Sequence, residues 1–398
     1  KAIELNPNYV NAYSNLGCIL RELGNLKEAE LMARKAIELK PDLAECHSNL
    51  GSLLSDMGNL KEAELSQRKA IELKSDFSEA HNNLSSILLK TKKFKKGWIE
   101  YEWRWKAPTA QQFLGGNLKT SKPEWTPKNK GRVLLWVEQG IGEEILFASL
   151  IPELLEKVDQ LIVKVDKRLI PLFQRSFDPR IVYIDKHQNF NEENYDFQIA
   201  MGSLLKHLRQ SQESFDIEKR SFLKVDESKT DIIKNQFKAS KYGKTIGISW
   251  KSNSKINKNR SLSLEELILG IYSPNTKFIC LQYGDIEKEI NHIKEKHGID
   301  ICLMKDIDIF NDLDGLAALI NACDQIVTID NINVMLAGAI GVECSLILKL
   351  DSYWYWGIND LRSYWLPSVE LFRINDFSNL NKTLESIKKK INTDLINI

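Results

Sequence analysis

The sequence predicts an α-helical solenoid followed by an α/β region built as two similar halves with a cleft between them. Three observations carry that prediction. A helical pattern recurs at a fixed interval through the first quarter of the chain. From Gly131 onward, continuous apolar runs alternate with amphipathic segments, as in a doubly wound parallel sheet. The alternation then restarts after a charged stretch, Glu227 to Lys244, so the α/β region has two series rather than one. At 398 residues there is room for two or three cores, and 43% hydrophobic with 27% charged residues is ordinary globular composition.

The repeat is read first. "KAIELNP" at Lys1, "KAIELKP" at Lys35 and "KAIELKS" at Lys69 recur at one spacing, and "NAYSNLGCILRELGNLKEAE" is echoed by "ECHSNLGSLLSDMGNLKEAE". Leu16, Leu20 and Leu23 fall at helical spacing, as do Leu50 and Leu54. Gly24 and Gly58 stand where a helix must stop, and Pro7 and Pro41 where the next unit begins. The period and its fixed Leu-Gly, Gly-Asn and Ala positions closely resemble the tetratricopeptide repeat. The resemblance implies a stack over residues 1–105. Lys1 falls inside a second helix, so the stack is expected to be truncated at its N-terminus. Such stacks present a surface to peptides or partner proteins, or serve as spacers and dimerisation arms.

The repeats run out in "GWIEYEWRWKAP", where Trp98, Tyr101, Trp103 and Trp105 are too aromatic for an exposed linker. They are expected to pack the last repeat helix against the next domain. Residues 106–130, polar and carrying Pro123 and Pro127, read as a connecting segment.

In residues 131–240, "RVLLWVEQ", "QLIVKVD", "RIVYID" and "YDFQIAM" read as strands. "EEILFASLIPELLEKV" and "KRLIPLFQRSF" read as the intervening helices. In residues 241–378 the strands are "TIGISW", "KFICLQYG", "IDIC", "QIVTID" and "ECSLILKL". The helices there are "SLEELILGIY", "EKEINHIKEKHG", "DLDGLAALINACD" capped by Asp312, and "NVMLAGAIG". Residues 379–398, with "LNKTLESIKKKINTDL", read as a C-terminal amphipathic helix. In such a plan ligands bind beyond the C-terminal ends of the strands.

Those ends hold the candidate chemistry. "EQGIGEE" puts Gln139, Gly140 and Gly142 between the first strand and its helix, where small residues let a substrate approach the backbone. The third glycine of a dinucleotide fingerprint is absent, and Glu143 and Glu144 would repel a diphosphate. An acid at this turn suits a general base facing the cleft; an acid complementing the helix dipole is the competing reading. Lys251 ends the first strand of the second half, with Lys255, Lys258 and Arg260 following in a polar loop. A cation at a strand end neutralises a departing diphosphate. Gln282 and Tyr283 close the next strand and are candidates for a base or ribose pocket. "TIDNINVMLAGAIG" offers Asp330 and the amides that follow it at a helix start. "DSYWYWGINDLRSYWLP", with Trp354 among its aromatics, reads equally as the wall of a sugar site and as core packing.

The order and spacing of these motifs resemble tetratricopeptide repeats fused to a glycosyltransferase of the GT-B fold, in the manner of the heptosyltransferase-like family 9 enzymes. The plan is more distantly similar to the protein O-linked N-acetylglucosamine transferases. "EQGIGEEILFA" stands against a family pattern of EQGLGD, and "DNINVMLAGAIG" against DNSTVHLAGALG. The resemblance implies inverting, metal-independent transfer of a sugar from a UDP-, GDP- or ADP-sugar, with no further cofactor. It implies Glu143 as the base, Lys251 on the donor phosphate, and Asp330, Asn331 and Asn333 around the diphosphate. The chain departs from the pattern at three places: Glu143 replaces an Asp, Ile332 a Ser or Thr, and Met335 a His.

The net charge of +1 gives no electrostatic reason for a nucleic-acid or anionic-membrane partner. No apolar run reaches transmembrane length. The six cysteines form no CxxC pair and the six histidines no metal spacing. Reduced thiols in a cytoplasmic protein and no metal site are the expectation. The leading function read from the sequence is a glycosyltransferase whose repeats recognise protein. A protein-interaction scaffold with a degenerate transferase domain is the alternative.

Overall fold

The structure, a computed structural model, describes residues 2–112, 114, 117–218, 221–238, 243–252, 260–349, 352–374 and 379–393. Lys255 and Lys258 lie outside the described residues. The chain divides into two compact units.

The first unit comprises residues 1–117 joined by two later stretches, 208–214 and 350–359. Its helices are α1 (Ala2–Leu5), α2 (Val10–Glu22), α3 (Leu26–Leu39), α4 (Ala44–Asp56), α5 (Leu60–Leu73), α6 (Ser78–Lys90), α7 (Phe94–Tyr101) and α8 (Pro108–Gln111). The small residues of the repeat are explained by close helix approach. A side chain on Gly51 would meet the buried Gln67 amide at 2.7 Å, and one on Gly97 would meet Leu89 at 2.6 Å. Gly24 and Gly58 turn the chain with φ of 81° and 80°, which glycine adopts at no steric cost. The equivalent residue of the next repeat is Lys92, at φ 59°.

Trp98 and Tyr101 of the aromatic exit have partners within this unit. Trp98 is fully buried and its Nε1 donates to the Arg209 carbonyl. The Trp98 ring meets Trp354 edge-on at 5.1 Å, and Tyr101 meets the same ring at 6.3 Å. Stretches far along the chain thus supply the partners that the linear division of the sequence assigns to a neighbour.

The second unit comprises residues 118–207, 215–349 and 360–398. Its strands are β1 (Arg132–Trp136), β2 (Gln160–Val165), β3 (Val182–Asp185), β4 (Phe197–Ala200), β5 (Lys244–Ser249), β6 (Thr276–Cys280), β7 (Ile301–Cys302), β8 (Gln325–Ile329), β9 (Cys344–Lys349) and β10 (Val369–Ile374). Its helices are α9 (Ile141–Phe147), α10 (Ile151–Leu155), α11 (Ile170–Ser176), α12 (Met201–Leu208), α13 (Glu227–Lys238), α14 (Leu264–Ile271), α15 (Glu287–His297), α16 (Leu313–Ala322), α17 (Ile332–Ile340) and α18 (Leu380–Thr393). The expected α/β region with parallel sheets is observed.

Among the described residues the strands form a four-stranded sheet of order β3-β2-β1-β4 and a six-stranded sheet of order β10-β9-β8-β5-β6-β7. All registered pairs are parallel. The second order is that of the doubly wound dinucleotide-binding fold, counted from β5. Each sheet has a point where the winding reverses, between β1 and β4 in one and between β5 and β8 in the other. Such reversals open a crevice at the strand C-termini.

Three expectations need correction. The single helix expected over "EEILFASLIPELLEKV" is broken into α9, a 3-10 turn over Ala148–Leu150, and α10. Pro152 in the first turn of α10 explains the break, since it has no N–H to continue a ladder. The charged stretch from Glu227 contains α13, which buries Thr230, Ile233 and Phe237. β10 was not expected, because "VELFRI" buries only part of its length, as an edge strand does.

Candidate functional site

The first sheet ends in carboxylates. After β1 the chain reaches Glu138, which is buried and accepts from the Gly202 amide at the start of α12 at 3.2 Å. That bond ties the two strand ends flanking the first reversal. Gln139 Nε2 donates to Glu138 Oε1 at 3.1 Å. Gly140 caps α9 with φ −71° and ψ 163°, and Gly142 and Glu143 occupy the first turn, half-buried. The Glu143 carboxylate folds back over the cap, so a Cβ on Gly140 would lie 3.0 Å from its Oε2.

Glu144 points the other way and is 1% exposed. Its Oε2 accepts from the Asp166 amide at 2.9 Å and its Oε1 from Lys186 Nζ at 2.8 Å. Lys186 also lies 3.2 Å from Asp166, whose carboxylate is held by Arg168 at 2.9 Å. Burial pushes the Glu144 carboxyl up, and Lys186 offsets this only in part. Arg168 holds the Asp166 carboxyl far below the usual carboxylate range. Burial would lower Lys186, yet its two carboxylates keep its ammonium above the ordinary value. The sequence singled out Glu143 but gave no weight to this cluster, whose members come from α9 and from the turns after β2 and β3.

The second sheet ends in hydroxyls and amides. Ser249 closes β5 and Thr328 lies in β8, and their hydroxyls meet at 2.6 Å across the second reversal. Asn331 caps α17 by accepting from the Asn333 amide at 2.9 Å, while its Nδ2 donates to Ser249 Oγ at 3.1 Å. Asn333 is 2% exposed; its Nδ2 donates to Ser249 Oγ at 2.9 Å and to the Leu281 carbonyl at 3.2 Å. The expected diphosphate ligands Asn331 and Asn333 therefore tie three strand ends together. Gln282 does similar work, its Oε1 accepting from the Trp250 and Lys251 amides at 3.1 and 2.8 Å. Asp330 pairs with Arg260 at 3.0 Å. The ammonium of Lys251 is bound by Glu289 of α15. Tyr283 sits beyond the end of β6 with its ring 5.2 Å from Phe310, and Arg168 donates to the Phe310 carbonyl at 3.0 Å.

The two edges meet. A Cβ on Gly142 would lie 3.5 Å from Met335 Cγ, so the first turn of α9 rests on the first turn of α17. Gln139, Gly140, Gly142 and Glu143 thus come together with Asp330, Asn331 and Asn333 within one unit, and Lys251, Gln282 and Tyr283 lie along the same second edge. Trp354 belongs to the first unit, where it is buried. Met335, where the resembled pattern has His, is buried packing under Gly142.

Comparison with known proteins bears on the first unit. Residues 1–30 and residues 44–77 each match a tetratricopeptide-repeat family. The helical unit is a tetratricopeptide-repeat solenoid. Repeats of this kind bind proteins. The chain is also similar to Protein FlbA of Caulobacter vibrioides, at 30% identity over 299 residues, which is 70% of this chain and 49% of that protein. It therefore spans about half the length of that curated relative. Among solved structures, PilF of Pseudomonas aeruginosa is 26% identical with a TM-score of 0.23, covering 24% of this chain and 42% of its own. YrrB, described as a repeat protein with an unusual peptide-binding site, is 23% identical with a TM-score of 0.25, covering 28% and 56%. Among the described residues no helix is long and apolar enough to cross a membrane.

Proposed function

We propose that the α/β unit is a glycosyltransferase of the GT-B type, moving a sugar from a nucleotide-sugar donor to an acceptor hydroxyl with inversion and without a metal. The observation that carries this reading is the contact of Gly142 with Met335. It joins the C-terminal edge of an acid-bearing sheet to that of a doubly wound nucleotide-type sheet. An acceptor over the first edge and a donor over the second would share one crevice. Glu143, half-buried at the first turn of α9, deprotonates the acceptor hydroxyl in this scheme. The leaving diphosphate is stabilised at the start of α17, where backbone amides and the helix dipole favour an anion. The tetratricopeptide repeats recognise a protein, which is the acceptor or carries it.

Titration of UDP, GDP and ADP into the protein by calorimetry tests the donor side. Donor hydrolysis by Glu143→Gln tests the base, with turnover expected to fall by about 10²- to 10⁴-fold. Unchanged turnover would remove Glu143 from that role.

A second reading, a protein-binding scaffold with a non-catalytic α/β unit, is favoured by the Lys251–Glu289 pair and by the burial of Met335. It predicts no heat with any nucleoside diphosphate at millimolar concentration.

A further inference from the structure

Beyond the strand ends of the α/β unit, one large ring stands half in water on a pinned turn. Phe310 lies between β7 and α16 and is 50% exposed. Its backbone is held on both sides: its N–H donates to Asp308 Oδ1 at 3.1 Å, and its carbonyl accepts from Arg168 Nη1 at 3.0 Å. The Tyr283 ring lies 5.2 Å away, tilted by 45°, past the end of the neighbouring strand β6. The Tyr283 hydroxyl has no hydrogen-bond partner among the described residues. Arg168, from the turn after β2, brings its guanidinium to 5.4 Å from the Phe310 ring centre. It grips Asp166 at 2.9 Å on each oxygen and the Phe310 carbonyl with a third N–H. A guanidinium has five N–H donors, so two are left. Arg168, Tyr283 and Phe310 belong to one unit and join the C-terminal edges of its two sheets.

We propose that Phe310 and Tyr283 form the platform on which the donor's base stacks, and that Arg168 with the Tyr283 hydroxyl selects a base bearing ring carbonyls. The inference rests on the nucleotide-sugar reading and narrows it to a uridine or guanosine diphosphate donor. A base laid on Phe310 takes the exposed part of the ring out of water. Stacking on an aromatic face is tolerant of base identity, so the choice among bases falls to hydrogen bonds. Guanidinium N–H groups only donate, so Arg168 favours an acceptor. Uracil and guanine offer a carbonyl oxygen where adenine offers an amino group, which would set donor against donor. A donor kept from water and left unmet costs more than a made hydrogen bond returns. The spacing also suits a nucleotide. Tyr283 follows β6, two strands from β8 in the sheet order, a lateral step of about 10 Å. A ribose fills an interval of that kind between a base and its diphosphate.

UDP, GDP, ADP and inorganic pyrophosphate, titrated by calorimetry into the full chain and into its Phe310→Ala, Phe310→Trp and Tyr283→Phe variants, test the platform. Phe310→Ala should weaken UDP binding by roughly fivefold or more, the loss expected of one base–aromatic stack, and leave pyrophosphate unchanged. Phe310→Trp keeps an aromatic face and should hold UDP within about threefold of the parent protein. UDP and GDP should bind the parent at least about tenfold more tightly than ADP. Tyr283→Phe should narrow that gap by weakening UDP and not ADP. Because the Phe310 ring is half exposed, Phe310→Ala should melt within about 2 °C of the parent. Unchanged UDP affinity in Phe310→Ala overturns the platform and leaves the transferase reading standing. Equal weakening of UDP and pyrophosphate also overturns it, since the edge as a whole would be disturbed. ADP binding as tightly as UDP overturns the choice of base, and that arm needs no variant to fold. If UDP depends on Phe310 as expected but no UDP- or GDP-sugar is turned over, the base site stands and the transferase reading falls. If no nucleoside diphosphate binds the parent protein at millimolar concentration, both fall.

Discussion

The two sheets of the α/β unit share a winding rule and differ in the residues that succeed their strands. The edge of the first is charged: Glu138, Glu143, Glu144 and Asp166 with Lys186 and Arg168. The edge of the second is mostly neutral, an array of Ser249, Thr328, Asn331 and Asn333 closed by the Arg260–Asp330 pair. Topology sets where a crevice opens; the residue after the strand sets whether it suits proton transfer or anion binding. The first edge relies on ion pairs for order and the second on neutral hydrogen bonds, and the two respond differently to substitution.

The largest effect is expected on the first edge. Glu144→Ala takes one of the two carboxylates from Lys186, leaves the buried Asp166 amide without its acceptor and opens a cavity, and should cost about 3 kcal/mol by denaturant unfolding. Glu144→Gln should cost less than half of that, because its amide oxygen can still accept and its volume is kept. Equal costs would mean that charge, not burial, governs the position. On the second edge, Asn333→Leu should cost about 2–3 kcal/mol, since the Leu281 carbonyl loses its donor and Ser249 loses one of several.

A third test lies at a clasp between three helices of the same unit. Asp314 of α16 binds Arg175 of α11 at 2.5 and 3.0 Å and Lys229 of α13 at 3.1 Å. Burial pushes its carboxyl up, but Arg175 and Lys229 outweigh it and the net displacement is downward. Because the folded value lies below the unfolded one, the stabilisation is present above about pH 4 and fades as pH falls through the folded value. Asp314→Asn should therefore cost about 2 kcal/mol at pH 7, discounted for the partly exposed Arg175. Its unfolding free energy should converge on that of the parent protein below about pH 4; a constant gap would show that the pair is not the source.

The smallest effect is a control outside both edges. Lys92 has φ 59° where Gly24 and Gly58 stand in the earlier repeats. Lys92→Gly should stabilise the repeats by about 0.5–1 kcal/mol, since left-handed backbone strains every residue but glycine. Ligand binding should not change.

The repeats were legible because one spacing aligns leucines, glycines and alanines in each unit. Most strands were legible because parallel strands buried on both faces read as unbroken apolar runs, as in "QIVTID". α13 was not, since its buried face is three residues among charges. At the candidate site, Glu143 and the Asp330 turn stood out because they sit at strand-to-helix junctions. The Ser249–Thr328 bond did not, because two single hydroxyls far apart in sequence acquire meaning only once β5 lies beside β8. Lys251 looked like the phosphate cation by its position after an apolar strand. Its long side chain pairs with Glu289, a partner on a helix that sequence reading left unconnected.

The placement of Trp98 has a consequence for synthesis. Phe94 and Tyr101 of its own helix meet its ring, but Trp354 completes the ring contacts and the Arg209 carbonyl accepts its indole N–H. A ribosome that has emitted only the repeats has made α7 without two of the residues that Trp98 meets. The early repeats can settle as they emerge, whereas the closing layer waits until residue 354 has been made. Until then Trp98 and Tyr101 lack the ring that closes over them. Premature termination before residue 354 would leave both rings short of that partner.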